Sequence, residues 1–148
     1  MSLTHVKELE AFAEQTINAG AVQAIIVFLN TYNENTYNTM SSALFAAKNS
    51  FTASGVNNTR ILVTLPDGTT MFDTSKNNNN SFQNAKDKAI NENHNSRLAI
   101  MVAGLGQSGV GMEKKFSTST RLNEQYLAHR IGKTQQDAIG CIRWSFVA

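Results

Sequence analysis

The stretch RILVTLPDGTTMFD, Arg60 to Asp73, restricts the fold more than any other part of the chain. Arg60-Ile61-Leu62-Val63-Thr64-Leu65 is β-branched and apolar, a composition that suits a pleated, half-buried strand. Pro66-Asp67-Gly68-Thr69 follows with turn chemistry: proline presets φ, and Asp-Gly tolerates the positive φ of a tight reversal. Thr70-Met71-Phe72-Asp73 then reads as the return strand. The sequence therefore carries a β-hairpin at this point, and the rest of the chain is read around it.

Upstream, the pattern is helical. Leu3, Val6, Leu9, Phe12, Ala13 and Ile17 recur at three- and four-residue steps, with Thr4 as a cap. Gly20 interrupts, and Ala21 to Leu29 is an apolar run read as helix because both neighbours are helical. Tyr37, Met40, Leu44, Ala47 and Phe51 form another periodic set, closed by Ser54-Gly55. Downstream, Lys76 to Ser81 holds four consecutive asparagines and is read as a solvated loop. Ala85 to Asn91 and Leu98 to Ala103 are read as short helices, with Asn95 or Ser96 capping the second. Gly104 to Gly111 is read as a flexible connector. Three strands close the chain: Lys114 to Ser119, Gln125 to Ile131 and Ile139 to Val147, the last two separated by a polar turn at Lys133 to Asp137.

This order gives an α+β fold, with N-terminal helices packed on an antiparallel sheet of about five strands. A length of 148 residues fits one domain over 1–148, with a helical part over 3–54 and a sheet with a helical crossover over 58–148. The formal net charge is +2, and the basic residues are neither clustered nor interleaved with aromatics, so nothing points to nucleic acid. The single cysteine, Cys141, lies in an apolar run and reads as a small core residue; no internal disulfide can form. No apolar run reaches the roughly 20 residues of a membrane span.

The chemistry-bearing residues are sparse. His5, His94 and His129 show no HxH, HxxxH or CxxC spacing, so no metal site or cofactor is expected, although Asp73, Glu92 and His94 could meet in space. No nucleophile elbow is present, and the GxGxxG at Gly104 to Gly109 neither follows a parallel strand nor opens a helix. The distinctive stretch is Asn93-His94-Asn95-Ser96-Arg97. Arg97 could pair with Asp73 and fix the hairpin exit to the crossover. Alternatively, His94 and Arg97 point into a pocket above the sheet and hold an anion, because a guanidinium donates two parallel hydrogen bonds to a carboxylate.

Taken in order, six short motifs resemble those of extracytoplasmic PAS-like sensor domains, the Cache or PDC domains of sensor histidine kinases. Arg60 to Thr64, Pro66 to Thr69 and Phe72 to Ser75 resemble their "R-V-T, D-G-T, V-x-x-D-S" opening. Asn93 to Arg97 resembles "N-H-x-x-R", Lys115 to Ser119 "R-x-S-x-T", Tyr126 to Ala128 "Y-x-A", and Ile139 to Ser145 "x-G-x-x-R-x-S". Together they cover roughly Arg60 to Ser145. The chain departs from the family at Leu98-Ala99, where Pro-Glu is frequent, and at the Asn-rich insert.

The resemblance implies a sensor rather than an enzyme: an extracytoplasmic part of a membrane receptor, flanked by two membrane spans absent from this chain. It implies a small-molecule ligand and a homodimer formed through the N-terminal helices. Transmission would run by a population shift between helix arrangements. By strand alternation, Lys115 and Ser117 share one strand face, and Tyr126, Ala128 and Arg130 share another. His94, Arg97, Lys115, Ser117, Tyr126, Arg130 and Arg143 are thus the expected ligand-binding residues. The competing expectation is a soluble interaction module that keeps the fold and dimerises without a small ligand.

Overall fold

The computed structural model describes residues 20–53, 59–76, 78–105, 110–117, 121–131 and 139–146. The periodic segment over residues 3–17, the Ser54-Gly55 stop and the Lys133 to Asp137 turn lie outside them. Two helices come first, α1 (Val22–Thr31) and α2 (Glu34–Ala53), followed by β1 (Arg60–Thr64) and β2 (Thr70–Asp73). Two short helices, α3 (Phe82–Lys86) and α4 (Leu98–Leu105), cross to β3 (Val110–Ser117), β4 (Leu122–Arg130) and β5 (Ile139–Phe146). The strands form a single antiparallel sheet in the order β2-β1-β5-β4-β3. The last strand thus inserts beside the first, and the hairpin becomes one flank of the sheet.

The helix α2 starts where its chemistry directs. Asn33 caps it, its side-chain oxygen accepting from the Thr36 amide at 3.0 Å, and Glu34 sits in the first turn, where the helix dipole favours an anion. Between α1 and α2 the chain reverses at Tyr32, in the left-handed region at φ 48°, and the Tyr32 amide closes on the Phe28 carbonyl at 2.6 Å. The periodic residues Tyr37, Met40, Leu44 and Ala47 are all buried, as their spacing requires.

Alternation along the strands separates two cores. Ile61, Val63, Phe72 and Leu127 meet α1 and α2 through Ile25, Phe28, Tyr37, Met40 and Leu44. Edge-to-face aromatic pairs knit this layer, among them Phe28–Tyr37 at 5.2 Å and Phe45–Phe72 at 5.4 Å. The Tyr37 hydroxyl donates to the Met71 carbonyl at 2.8 Å, and burial pushes its pKa up. On the opposite face Leu62, Tyr126 and Ala128 pack under Ala99, Ile100 and Ala103 of α4.

Several boundaries differ from the sequence expectations, among them the strand starts: β3 begins at Val110 rather than Lys114, and β4 at Leu122 rather than Gln125. The Asn-rich segment is not wholly solvated: Asn80 is half-buried, its side chain accepting from the Asp73 amide at 3.0 Å and donating to the Asp73 carbonyl at 2.7 Å. A carboxamide carries a donor and an acceptor, so one asparagine satisfies both backbone groups of the last strand residue. The first crossover helix begins earlier than expected, because Ser81 caps it through the Asn84 amide at 3.0 Å. It also ends earlier, with Lys88 in the left-handed region at φ 56°. The second crossover helix runs two residues further, to Leu105.

Finally, Gly111 is not part of a connector but the second residue of β3. A Cβ there would overlap the Ala99 carbonyl and crowd the Ala103 amide. Glycine at this point is what lets α4 lie directly on the strand. Gly111→Ala is therefore expected to lift α4 and cost about 1–3 kcal/mol, the usual range for overpacking. A thermal melt reads that as a fall of roughly 3–10 °C; an unchanged melting temperature would mean that α4 is not seated on β3 in this way.

Candidate functional site

The site is built on the hairpin. Its loop is Pro66-Asp67-Gly68: the Gly68 amide donates to the Leu65 carbonyl and the Leu65 amide to the Thr69 carbonyl, both at 2.9 Å. Only the glycine takes a positive φ, at 87°, which fits a three-residue loop with glycine last. The Asp67 carboxylate accepts from the Thr69 amide at 2.9 Å, and that bond holds its pKa below the usual value.

The Asn93 to Arg97 segment is docked on this loop. The His94 amide donates to the Gly68 carbonyl at 2.9 Å. The Asn93 side chain donates to the Asp67 carbonyl at 3.0 Å, and Thr70 Oγ1 donates to the Glu92 carbonyl at 3.1 Å. A Cβ at Gly68 would overlap the Asn95 amide and the Asn93 side chain, so the approach is as close as backbone allows.

Behind the segment lies a buried polar network. Asp73 is wholly buried and paired with Arg60, receiving Nε at 3.0 Å and Nη2 at 2.6 Å. Ser75 adds its amide at 2.9 Å and its hydroxyl at 2.7 Å, and the Asn91 side chain donates to the second oxygen. Burial by itself would raise the Asp73 pKa. The Arg60 hydrogen bonds and charge outweigh it, with Ser75 adding to them, so the net shift is downward.

The expected pairing of Asp73 with Arg97 is therefore replaced by Asp73–Arg60. Arg60 lies diagonally across the hairpin from Asp73, within reach of both carboxylate oxygens, whereas Arg97 is carried along the same face of the sheet to β4 and β3. There its guanidinium lies 4.3 Å above the Tyr126 ring and its Nη1 is 3.6 Å from the Glu113 carboxylate. Glu113 also accepts from the Ala99 amide, in the first turn of α4, at 3.2 Å. The Tyr126 hydroxyl donates to the buried Glu124 carboxylate at 2.7 Å.

These groups border a cleft of about 340 Å³, lined by Glu92, Asn93, His94, Ser96, Arg97, Leu98, Glu113 and Lys115. Of the expected binding residues, His94, Arg97 and Lys115 line it, and Tyr126 supports Arg97 from below. Arg130 does not: its Nη1 donates to the Gly104 carbonyl at 3.3 Å, near the C-terminal end of α4, where a cation suits the helix dipole. Ser117 and Arg143 are placed by strand register, Arg143 opposite both Arg60 and Tyr126; their side chains lie outside the described residues.

Sequence reasoning missed Glu113, Arg60 and Asn91. Glu113 was legible, since it shares the Lys115 face by alternation once β3 is extended by one residue at its start. Asn91 carried no local signal.

No protein family and no curated protein matches the sequence. A solved structure does: the V. cholerae histidine kinase DctB sensor domain, with TM-score 0.55 and 13% identity, covering 97% of this chain. The chain shares its fold with that domain. The likeness implied by the six ordered motifs thus extends to the architecture, helices on a small antiparallel sheet. The chain spans about half of that sensor domain, 55% of its length. Among the described residues no helix is long and apolar enough to cross a membrane.

His94 is 7% exposed. Its Nε2 lies 3.4 Å from the Asn91 amide nitrogen that also serves Asp73. Burial lowers its pKa below 6.5 and the Arg60 charge lowers it further, against smaller raising effects of Asp73 and Glu92; Arg97 also lowers it. The unfolded chain thus takes up a proton near pH 6.5 that the folded chain refuses, so stability falls as pH drops through that value. Asp73 contributes in a separate, more acidic window, where its stabilisation is lost below 3.8. Urea unfolding at pH 7 and pH 5 is expected to show a stability loss that His94→Gln reduces. An equal loss in the variant would remove His94 as its source.

Proposed function

We propose that the chain is an extracytoplasmic ligand-sensing domain of a membrane-bound signal-transduction receptor, of the sensor histidine kinase kind. It binds a small ligand bearing an anionic group and transmits by helix rearrangement in a dimer. The observation that carries this reading is the cleft beside the docked Asn93 to Arg97 segment. Its volume of about 340 Å³ suits a small molecule. Its lining brings the cations Arg97 and Lys115 together with the carboxylates Glu92 and Glu113 and the short polar side chains of Asn93 and Ser96. Such a wall selects by hydrogen bonds and charge rather than by apolar contact. Arg97 lies over the Tyr126 ring at 4.3 Å, a contact that restricts it before a ligand arrives and so reduces the ordering cost of binding. The sensor fold and the ordered motifs support the same reading.

A thermal-shift screen tests it, with small carboxylates, amino acids, divalent metals and polyamines, and with Arg97→Ala alongside. A ligand at a hundred times its dissociation constant adds about 2.7 kcal/mol, which for this size raises the melting temperature by roughly 5–10 °C. The expected result is an anionic hit that is lost in a folded Arg97→Ala. A panel without any hit would sink the reading.

One observation favours a second reading, an interaction module that dimerises without a small ligand. The helix α4 exposes Leu98 (53%), Met101 (43%), Val102 (42%) and Leu105 (69%) on its outer side. If a second copy covers them, sedimentation is expected to show a dimer that Met101→Glu with Leu105→Glu converts to a monomer. A monomer at all concentrations would dismiss it.

A further inference from the structure

Two arginine–carboxylate pairs among the described residues differ sharply in how firmly they are made. Arg60–Asp73 is doubly hydrogen-bonded, with its carboxylate wholly enclosed and served by Ser75 and Asn91 as well. Arg97–Glu113 meets at 3.6 Å, with 24% and 15% of the two side chains exposed, at the wall of the cleft. The first cannot be exchanged without leaving a buried charge; the second is longer, partly exposed and borders the cleft, where an incoming anion can reach it.

The position of the Glu113 carboxylate matters more than its strength. It rests on the Arg97 guanidinium and on the Ala99 amide at the start of α4. These are the groups that would receive the oxygens of an incoming carboxylate or phosphate. Glu113 therefore stands where a ligand anion would stand, and it belongs to β3 while the groups it occupies belong to α4 and to the Asn93 to Arg97 segment, the lip of the cleft.

We propose that Glu113 is an internal anion that gates the cleft: a ligand anion displaces it from Arg97 and from the Ala99 amide, and so uncouples β3 from the start of α4. The proposal rests on the sensing reading above and adds to it a competitor and a moving part. Two consequences follow from the competition. The apparent affinity for any anion is reduced by the fraction of time that Glu113 holds Arg97. Binding also necessarily changes the contact between strand and helix, since one carboxylate leaves as another enters. The Tyr126 ring, 4.3 Å from the Arg97 guanidinium, is a contact that the exchange of carboxylates need not break.

The test is titration of the folded protein with inorganic phosphate and with acetate at low ionic strength, followed by calorimetry. Glu113→Gln keeps the shape and a carbonyl for the Ala99 amide but removes the competing charge. It is expected to bind phosphate between about threefold and tenfold tighter than the wild type, while Arg97→Ala with Glu113→Gln binds none. Equal or weaker binding by Glu113→Gln overturns the gate. A second measurement needs no variant: nuclear magnetic resonance of the wild type during the same titration. Phosphate is expected to shift the Arg97 Nε–H, the Ala99 amide and the Glu113 side-chain carboxyl together. Movement of Arg97 with Glu113 unmoved overturns the gate.

The two proposals fail separately. If a ligand from the screen binds wild type and Glu113→Gln equally, sensing stands and the gate falls. If Glu113→Gln gains phosphate at Arg97 while no panel compound binds the wild type, the gate stands and the sensing reading falls.

Discussion

The buried ion pair between Arg60 and Asp73 is the constraint around which the other polar contacts are arranged. A carboxylate enclosed without compensation would be intolerable, and here it receives donors from Arg60, Ser75 and Asn91. Each donor arrives from a different stretch of chain. Arg60 ties the start of β1 to the end of β2. Ser75 bends the chain away from the sheet. Asn91 brings in the end of the crossover, and Asn80 closes on the Asp73 backbone from the loop between. A single buried charge thus fixes how the hairpin, the Asn-rich loop and the crossover meet, where apolar packing alone would allow them to slide.

The sheet turns this local arrangement into a surface with two characters. One face carries the larger apolar cluster and takes α1 and α2 with their ring-to-ring contacts. The other is apolar only where α4 covers it, at Leu62, Tyr126 and Ala128. Gly111 lets α4 approach β3 at one point. Further along the same strand face, Glu113 and Lys115 have long polar side chains, and there the wall is open. The cleft is the consequence of a helix too short to cover its strand, met by a lip that stops at the hairpin loop.

Much of this was legible from composition and period. The hairpin followed from β-branched residues around Pro-Asp-Gly, α2 from the spacing of Tyr37, Met40, Leu44 and Ala47, and α4 from its apolar run. What was not legible depends on distance in the chain. Whether Asp73 would take Arg60 or Arg97 is decided by how far along the sheet face the crossover carries Arg97, to Tyr126 and Glu113, and no local pattern encodes that. Asn80 looked like one of four equivalent polar residues and is distinguished only by lying beside a strand end. Gly111 looked like connector because its role, the absence of a side chain under Ala99, is visible only when the helix is in place. Of the site, His94, Arg97 and Lys115 could be read from type and alternation, whereas Glu113 fell one residue outside the strand as drawn from sequence.

The docking of the lip on the hairpin loop has an evolutionary consequence. The lip is held by the carbonyl of Glu92, the amide of His94 and the side chain of Asn93, set against Gly68, Thr70 and Asp67. Of the side chains that line the cleft from it, Glu92, Ser96 and Arg97 are not what fastens it to the hairpin, whereas Asn93 serves both. Stability and recognition are thus written largely in different atoms of the same six residues, Glu92 to Arg97. A lineage carrying this scaffold is free to change what it recognises by substituting outward side chains, one at a time, without first surviving a loss of the fold.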